Sequence, residues 1–146
     1  MEKNMNKEES RMDVVKEENR MEVVKSDATD PRVLDILADD KNDYVREGVA
    51  RNKKTNIETL EKLSNDESVT VRFEVARNKN TSVETLEKLS NDEKILVRFE
   101  VAYNENTSSK ILEKLSNDKD WGVRAGVANN KNTSSKILDK LSNDEK

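Results

Sequence analysis

"SNDESVTVRFEVARNKNT" occupies residues 64–81 and "SNDEKILVRFEVAYNENT" occupies residues 90–107, with nothing inserted or lost between them. The step is 26 residues, and it extends in both directions. Val45-Arg46, Val71-Arg72, Val97-Arg98 and Val123-Arg124 fall under one another, followed by Val49, Val75, Val101 and Val127. Thr29, Thr55, Thr81, Thr107 and Thr133 keep the same step, as do Leu34, Leu60, Leu86, Leu112 and Leu138. Self-similarity at one fixed period of about 20–50 residues marks an array of stacked units.

Composition sets a rival reading. Hydrophobic residues are 32% of the 146 and charged residues 40%, polar enough to raise disorder. Placement decides against it. The apolar residues fall mostly in the repeating columns, so each unit buries a stripe against its neighbours although none could hold a core alone. There is no cysteine, which removes disulfide scaffolds, thiolate metal sites and cysteine nucleophiles. There is no histidine, which removes the usual general base near neutral pH and the commonest metal ligand. No stretch has signal-peptide character or approaches the ~20 apolar residues of a membrane span. A cytoplasmic protein that does not engage a membrane is expected.

One unit, residues 55–80, reads "TNIETLEKLSNDESVTVRFEVARNKN". Thr55 with Glu58 has the spacing of a capping box and predicts a helix start, and Thr81 with Glu84 repeats it. Ile57, Leu60 and Leu63 then predict one apolar stripe on a short helix, α or in part 3₁₀. "SND" at 64–66 ends it. A second helix is predicted from Val69 to Arg77, with Val71, Val75, Ala76 and Arg72 on its inward side. Asn78, like Asn52, Asn104 and Asn130, stands where a left-handed residue commonly ends a helix. The domain reading is a mobile N-terminal tail and degenerate capping helix over residues 1–28, with residues 1–10 as the tail. Units follow at 29–54, 55–80, 81–106 and 107–132, with a partial unit at 133–146.

The pattern V-R-x-x-V-A-x-N, then T-x-x-x-x-L-x-x-L-x-x-D, is carried by Val71, Arg72, Val75, Ala76, Asn78, Thr81, Leu86, Leu89 and Asp92. It resembles the leucine-rich repeat variant family over about residues 19–146. The resemblance implies an all-α, right-handed α-solenoid of two-helix repeats, related to armadillo and HEAT superhelices. Lys53, Lys79, Glu105 and Lys131 stand where that family often has proline. Its iron–sulfur extension needs cysteine, so no cofactor is implied. HEAT repeats also place an Asp six residues before the Arg, as at Asp40 and Arg46, Asp66 and Arg72, Asp92 and Arg98, and Asp118 and Arg124. That resemblance implies a structural ladder: the Asp accepts from backbone at a helix start and pairs with Arg in its own and adjacent units.

Phe73 lies about 200° around its helix from Val71, with Arg77 one turn on. Phe99 and Tyr103 hold the same places in the next unit. In HEAT-like arrays this helix lines the concave side, and Phe, Tyr and Arg are enriched at interface centres. The expected function is therefore a non-catalytic repeat scaffold binding a protein or peptide through Phe73, Arg77, Phe99 and Tyr103, the alternative being that the two Phe are peripheral core. Trp121 reads as a plug between units, and the Glu-Lys pairs as solvated surface. Two other readings are self-association through an uncovered C-terminal helix at Ile137, Leu138 and Leu141, and a nucleic-acid binder or DNA glycosylase-like enzyme. The second lacks a basic stripe: net charges by unit are 0, -1, -3 and +2, and the chain's isoelectric point is near 5.1.

Overall fold

The computed structural model of the chain describes residues 15–144. The tail expected at residues 1–10 lies outside them. Among the described residues there are ten α-helices, one 3₁₀ turn and no strand. After the 3₁₀ turn Glu17–Asn19 and α1 (Arg20–Lys25), helices alternate short and long. The short ones are α2 (Pro31–Leu37), α4 (Ile57–Leu63), α6 (Val83–Leu89) and α8 (Ser109–Leu115). Their partners are α3 (Asp43–Arg51), α5 (Val69–Arg77), α7 (Ile95–Tyr103) and α9 (Trp121–Asn129), followed by α10 (Ser135–Asp144). Helices of seven to nine residues are not stable alone in water, so packing holds them.

That packing is repetitive. The long helices lie side by side along the array, α1 on α3, α3 on α5, α5 on α7 and α7 on α9, while each short helix sits on long ones. One continuous core results. Leu34, Leu60, Leu86 and Leu112 are fully buried, as are Val49, Val71, Val75, Val97, Val101, Val123 and Val127. Ile57 does not join them, being 51% exposed; the inward positions of α4 are Thr59, Leu60 and Leu63. The Thr59 hydroxyl is satisfied across the unit boundary by Asp35 Oδ1 at 3.0 Å.

The punctuation differs from the sequence reading in two ways. Thr55 is not the cap. Its buried hydroxyl donates to Val49 O at 2.6 Å, tying down the end of the preceding helix, and Thr29, Thr81, Thr107 and Thr133 make the equivalent bond. The cap is the next residue: Asn56 accepts from Thr59 N at 2.8 Å, and Ser82, Ser108 and Ser134 accept from the third residue on. Glu58 and Glu84 therefore close no capping box.

Nor is Asn78 left-handed. No non-glycine residue among those described has positive φ, and Asn78 is extended at φ −67°, ψ 132°. Its amide explains why asparagine is needed. Oδ1 accepts from Asn80 N at 2.9 Å, while Nδ2 crosses to the preceding unit and donates to Ala50 O at 2.7 Å and Asn52 O at 3.1 Å. Asn52, Asn104 and Asn130 repeat this on the residues 26 and 28 positions earlier. Helix-end carbonyls that would lack intrahelical partners are thus bonded between units.

Candidate interaction surface

The arginine ladder is structural. Arg46 Nε donates to Asp66 Oδ2 at 2.7 Å, Arg72 Nε to Asp92 Oδ2 at 2.7 Å and Arg98 Nε to Asp118 Oδ2 at 2.8 Å, each reaching the following unit. Arg20 begins the series on Asp40 at 2.9 Å. Within its own unit the Arg finds a backbone carbonyl, not the carboxylate expected: Arg46 Nη1 donates to Asp40 O and Arg72 Nη1 to Asp66 O, at 2.8 and 2.7 Å. The carboxylate is already occupied by a helix-start donor, Ser68 N on Asp66 Oδ1 at 2.8 Å. Arg124 keeps only the backbone half, on Asp118 O and Lys119 O. Burial pushes the Asp118 carboxyl up, but the Arg98 hydrogen bond, the Asp120 N–H and the Arg98 and Arg124 charges outweigh it and hold the group below its ordinary range.

The lysines of the short helices form a second ladder where solvated surface was expected. Lys88, Lys114 and Lys140 each reach the Ser and Asn of the preceding unit's turn, and Lys62 reaches Asp39.

On the long helices, positions spaced i, i+3, i+4 and i+7 share one face. On α7 they are Leu96, Phe99, Glu100 and Tyr103; on α5, Thr70, Phe73, Glu74 and Arg77. The Phe99 and Tyr103 rings lie 4.6 Å apart between centroids. They rest on a glycine face of α9: a Cβ at Gly122 would touch Phe99 at 3.7 Å, and one at Gly126 would meet Tyr103 at 2.9 Å. Phe73 and Phe99 are partly buried against the core, while Arg77 and Tyr103 are exposed. Sequence reasoning missed what surrounds them. Leu96 is 61% exposed and Ile95 48%, and Trp121, expected to be a plug, is 75% exposed. Leu96 was legible, since it completes the α7 spacing. Trp121 was not, because only the seating of Phe99 on Gly122 shows that the residue preceding that glycine lies at the same boundary between helices.

Charges alternate along this face. Arg51 bonds both Glu47 at 2.5 Å and Glu74 at 2.8 Å. Glu100 holds the equivalent place to Glu74 one unit on, near Arg77, yet its carboxylate makes no hydrogen bond or ion pair among the described residues. Burial, with Glu74 adding to it against Arg77, raises its pKa.

Elsewhere expectations fare differently. Ile137 and Leu141 are buried at 7% and 8% exposure, leaving only Leu138 open in α10. They pack toward α9 and offer no apolar face of three side chains. Among the described residues no cluster of carboxylates could hold a metal ion, and no helix is long and apolar enough to cross a membrane.

Helix pairs repeated at 26 residues, stacked so that their apolar stripes fuse, define an α-solenoid repeat protein. Residues 69–94, one full period, match the family described as leucine rich repeat variant. A solved structure described as "a leucine-rich repeat variant with a novel repetitive protein structural motif" is 23% identical, with a TM-score of 0.38, over 83% of this chain. The chain spans 58% of that structure's length. No curated protein matches it.

Proposed function

We propose that the protein is a non-catalytic scaffold that binds a protein or peptide on the face of its long helices, centred on Phe73, Arg77, Phe99 and Tyr103. The observation that carries this reading is the cluster of open apolar side chains, Ile95, Leu96, Tyr103 and Trp121, around the half-buried Phe99. Contiguous apolar patches are rare on surfaces without partners. The long helices also form the continuous side-by-side layer of the array, the short ones being set on them, so a partner laid along that layer would meet the patch.

The test uses exposed positions, so that folding is not at stake. Affinity capture with the wild-type chain is compared with Leu96→Glu and Trp121→Glu, each checked for unchanged helicity. Loss of the captured proteins from both variants is expected. An identical captured set from both overturns the reading.

A further inference from the structure

The geometry points to a partner segment that is cationic as well as apolar, a Lys or Arg flanked by aliphatic or aromatic residues, seated with its charge at Glu100 and its apolar side chains on Leu96 and Trp121. This rests on the proposed interaction face and adds the chemistry of its occupant.

The argument starts from a charge mismatch within the strip. Three carboxylates, Glu47, Glu74 and Glu100, face two guanidiniums, Arg51 and Arg77. Arg51 is committed to Glu47 and Glu74 together. Arg77 acts on Glu100 only through its field, with no ion pair formed. Half-buried carboxylates normally find a hydrogen-bonding partner, because leaving one unpaired forfeits its hydration without return. Here the neighbouring unit supplies none. The next helix offers Gly126 at the equivalent position and Asn129 in place of Arg77, so no cation comes from that side either.

Around the carboxylate the surroundings suit an incoming cation. Tyr103, one turn on, is 45% exposed and paired with Phe99. An ammonium or guanidinium over such a ring is attracted by its quadrupole, an effect that strengthens as water is excluded. Leu96 lies one turn before Glu100, and on the adjacent helix the exposed Trp121 directly precedes Gly122, on which Phe99 rests, so open apolar groups share this stretch of the face with the charge. The unit carrying this patch, residues 81–106, has six acidic against three basic residues, the largest negative excess of the four. An acidic segment would meet Glu100 and that excess as repulsion. A purely apolar one would bury Glu100 without a partner.

Selection of a randomised twelve-residue displayed peptide library on the full chain tests this. Enriched peptides are expected to carry Lys or Arg within about three residues of Leu, Ile, Phe or Trp. A synthesised winner is expected to lose at least tenfold in affinity on Glu100→Gln, and as much on Leu96→Glu or Trp121→Glu. The last two changes add negative charge, so a loss there separates docking from general attraction of a basic peptide. Winners that are neutral or acidic, or a winner unaffected by Glu100→Gln, overturn the cationic assignment; if such winners are still lost on Leu96→Glu, the interaction face itself stands. No enrichment, or winners indifferent to both Leu96→Glu and Trp121→Glu, overturns the face and the assignment together.

Discussion

A primary amide offers two donors and an acceptor, and at Asn78 all three are engaged: two carbonyls of the preceding unit and one N–H of its own loop. Asp would bring a charge and no donors; Leu would bring neither donor nor acceptor. Asn78→Ala leaves buried groups on both sides unpaired, at about 1–3 kcal/mol for each unsatisfied group. A total loss of roughly 2–4 kcal/mol is therefore expected, read as a lower urea midpoint at an unchanged slope. Asn80 also donates across the boundary, to Lys53 O and Thr55 O, but from an exposed position where water replaces the bond. Asn80→Ala should cost under about 1 kcal/mol, and equal losses for the two would show that burial of the amide is not what matters. Glu100 gives the opposite case, a residue whose charge opposes folding. Its pKa is raised in the folded chain above 4.5 by burial, then by Glu74 against Arg77, so as pH climbs past that value the folded state keeps a proton that the unfolded state has released. Stability is lost over that rise. Glu100→Gln should raise the melting temperature at pH 7, and the gain should fall away as pH drops through 4.5 and be gone well below it, where the carboxylate is protonated in both states. A gain that persists there would assign the effect to packing.

Each long helix carries a Val-Arg pair, and in all but the last the arginine spans to the following unit. Arg72 has both Asp92 and the Asp66 carbonyl, whereas Arg124 has only carbonyls. Arg72→Ala strands the Asp92 carboxylate, whose side chain is 7% exposed, and should cost about 3 kcal/mol. Arg124→Ala strands no carboxylate. A loss there under half that of Arg72→Ala is expected by chemical denaturation, and equal losses would show that the arginine stem, not the pair, does the stabilising. The long helices were fully legible in the sequence, Val69 to Arg77 included, because Val71, Val75 and Ala76 pack inward at helical spacing. The helix caps were misplaced by one residue, since Thr55 and Asn56 are both residue types that cap and only the fold shows that the Thr55 side chain turns back to Val49 while Asn56 caps. The patch was half legible for a related reason. Phe99 and Tyr103 share a helix, so spacing joins them, but Trp121 and Glu100 acquire their meaning from what stands on the neighbouring helix, glycine in one direction and a distant Arg77 in the other.

Across the whole array the same contacts recur at one step, so the stability of such a chain is close to a sum of unit terms and nearest-neighbour terms. Removal of residues 81–106, a full period, joins Asn80 to Thr107 and rebuilds every boundary. Arg72 then faces Asp118 in place of Asp92, the Asn130 amide meets the Ala76 and Asn78 carbonyls in place of Ala102 and Asn104, and Phe73 comes to stand before Gly122 as Phe99 does now. The shortened chain should fold with unchanged helicity per residue and unfold with a urea slope reduced by about one fifth, in proportion to the surface removed. Removal of residues 81–105, one fewer, leaves Asn106 ahead of Thr107 and puts one residue too many in the loop that Asn78 closes. The helices downstream must then shift against those upstream, or the loop must bulge and give up its cross-unit bonds. That variant should be less stable than the 26-residue deletion by several kcal/mol, since the Asn130 bridge and the Arg72 rung across the junction are lost together. Equal stability of the two deletions would mean that the boundaries tolerate slippage, and that the 26-residue step reflects the chain's history and not a constraint of the stack.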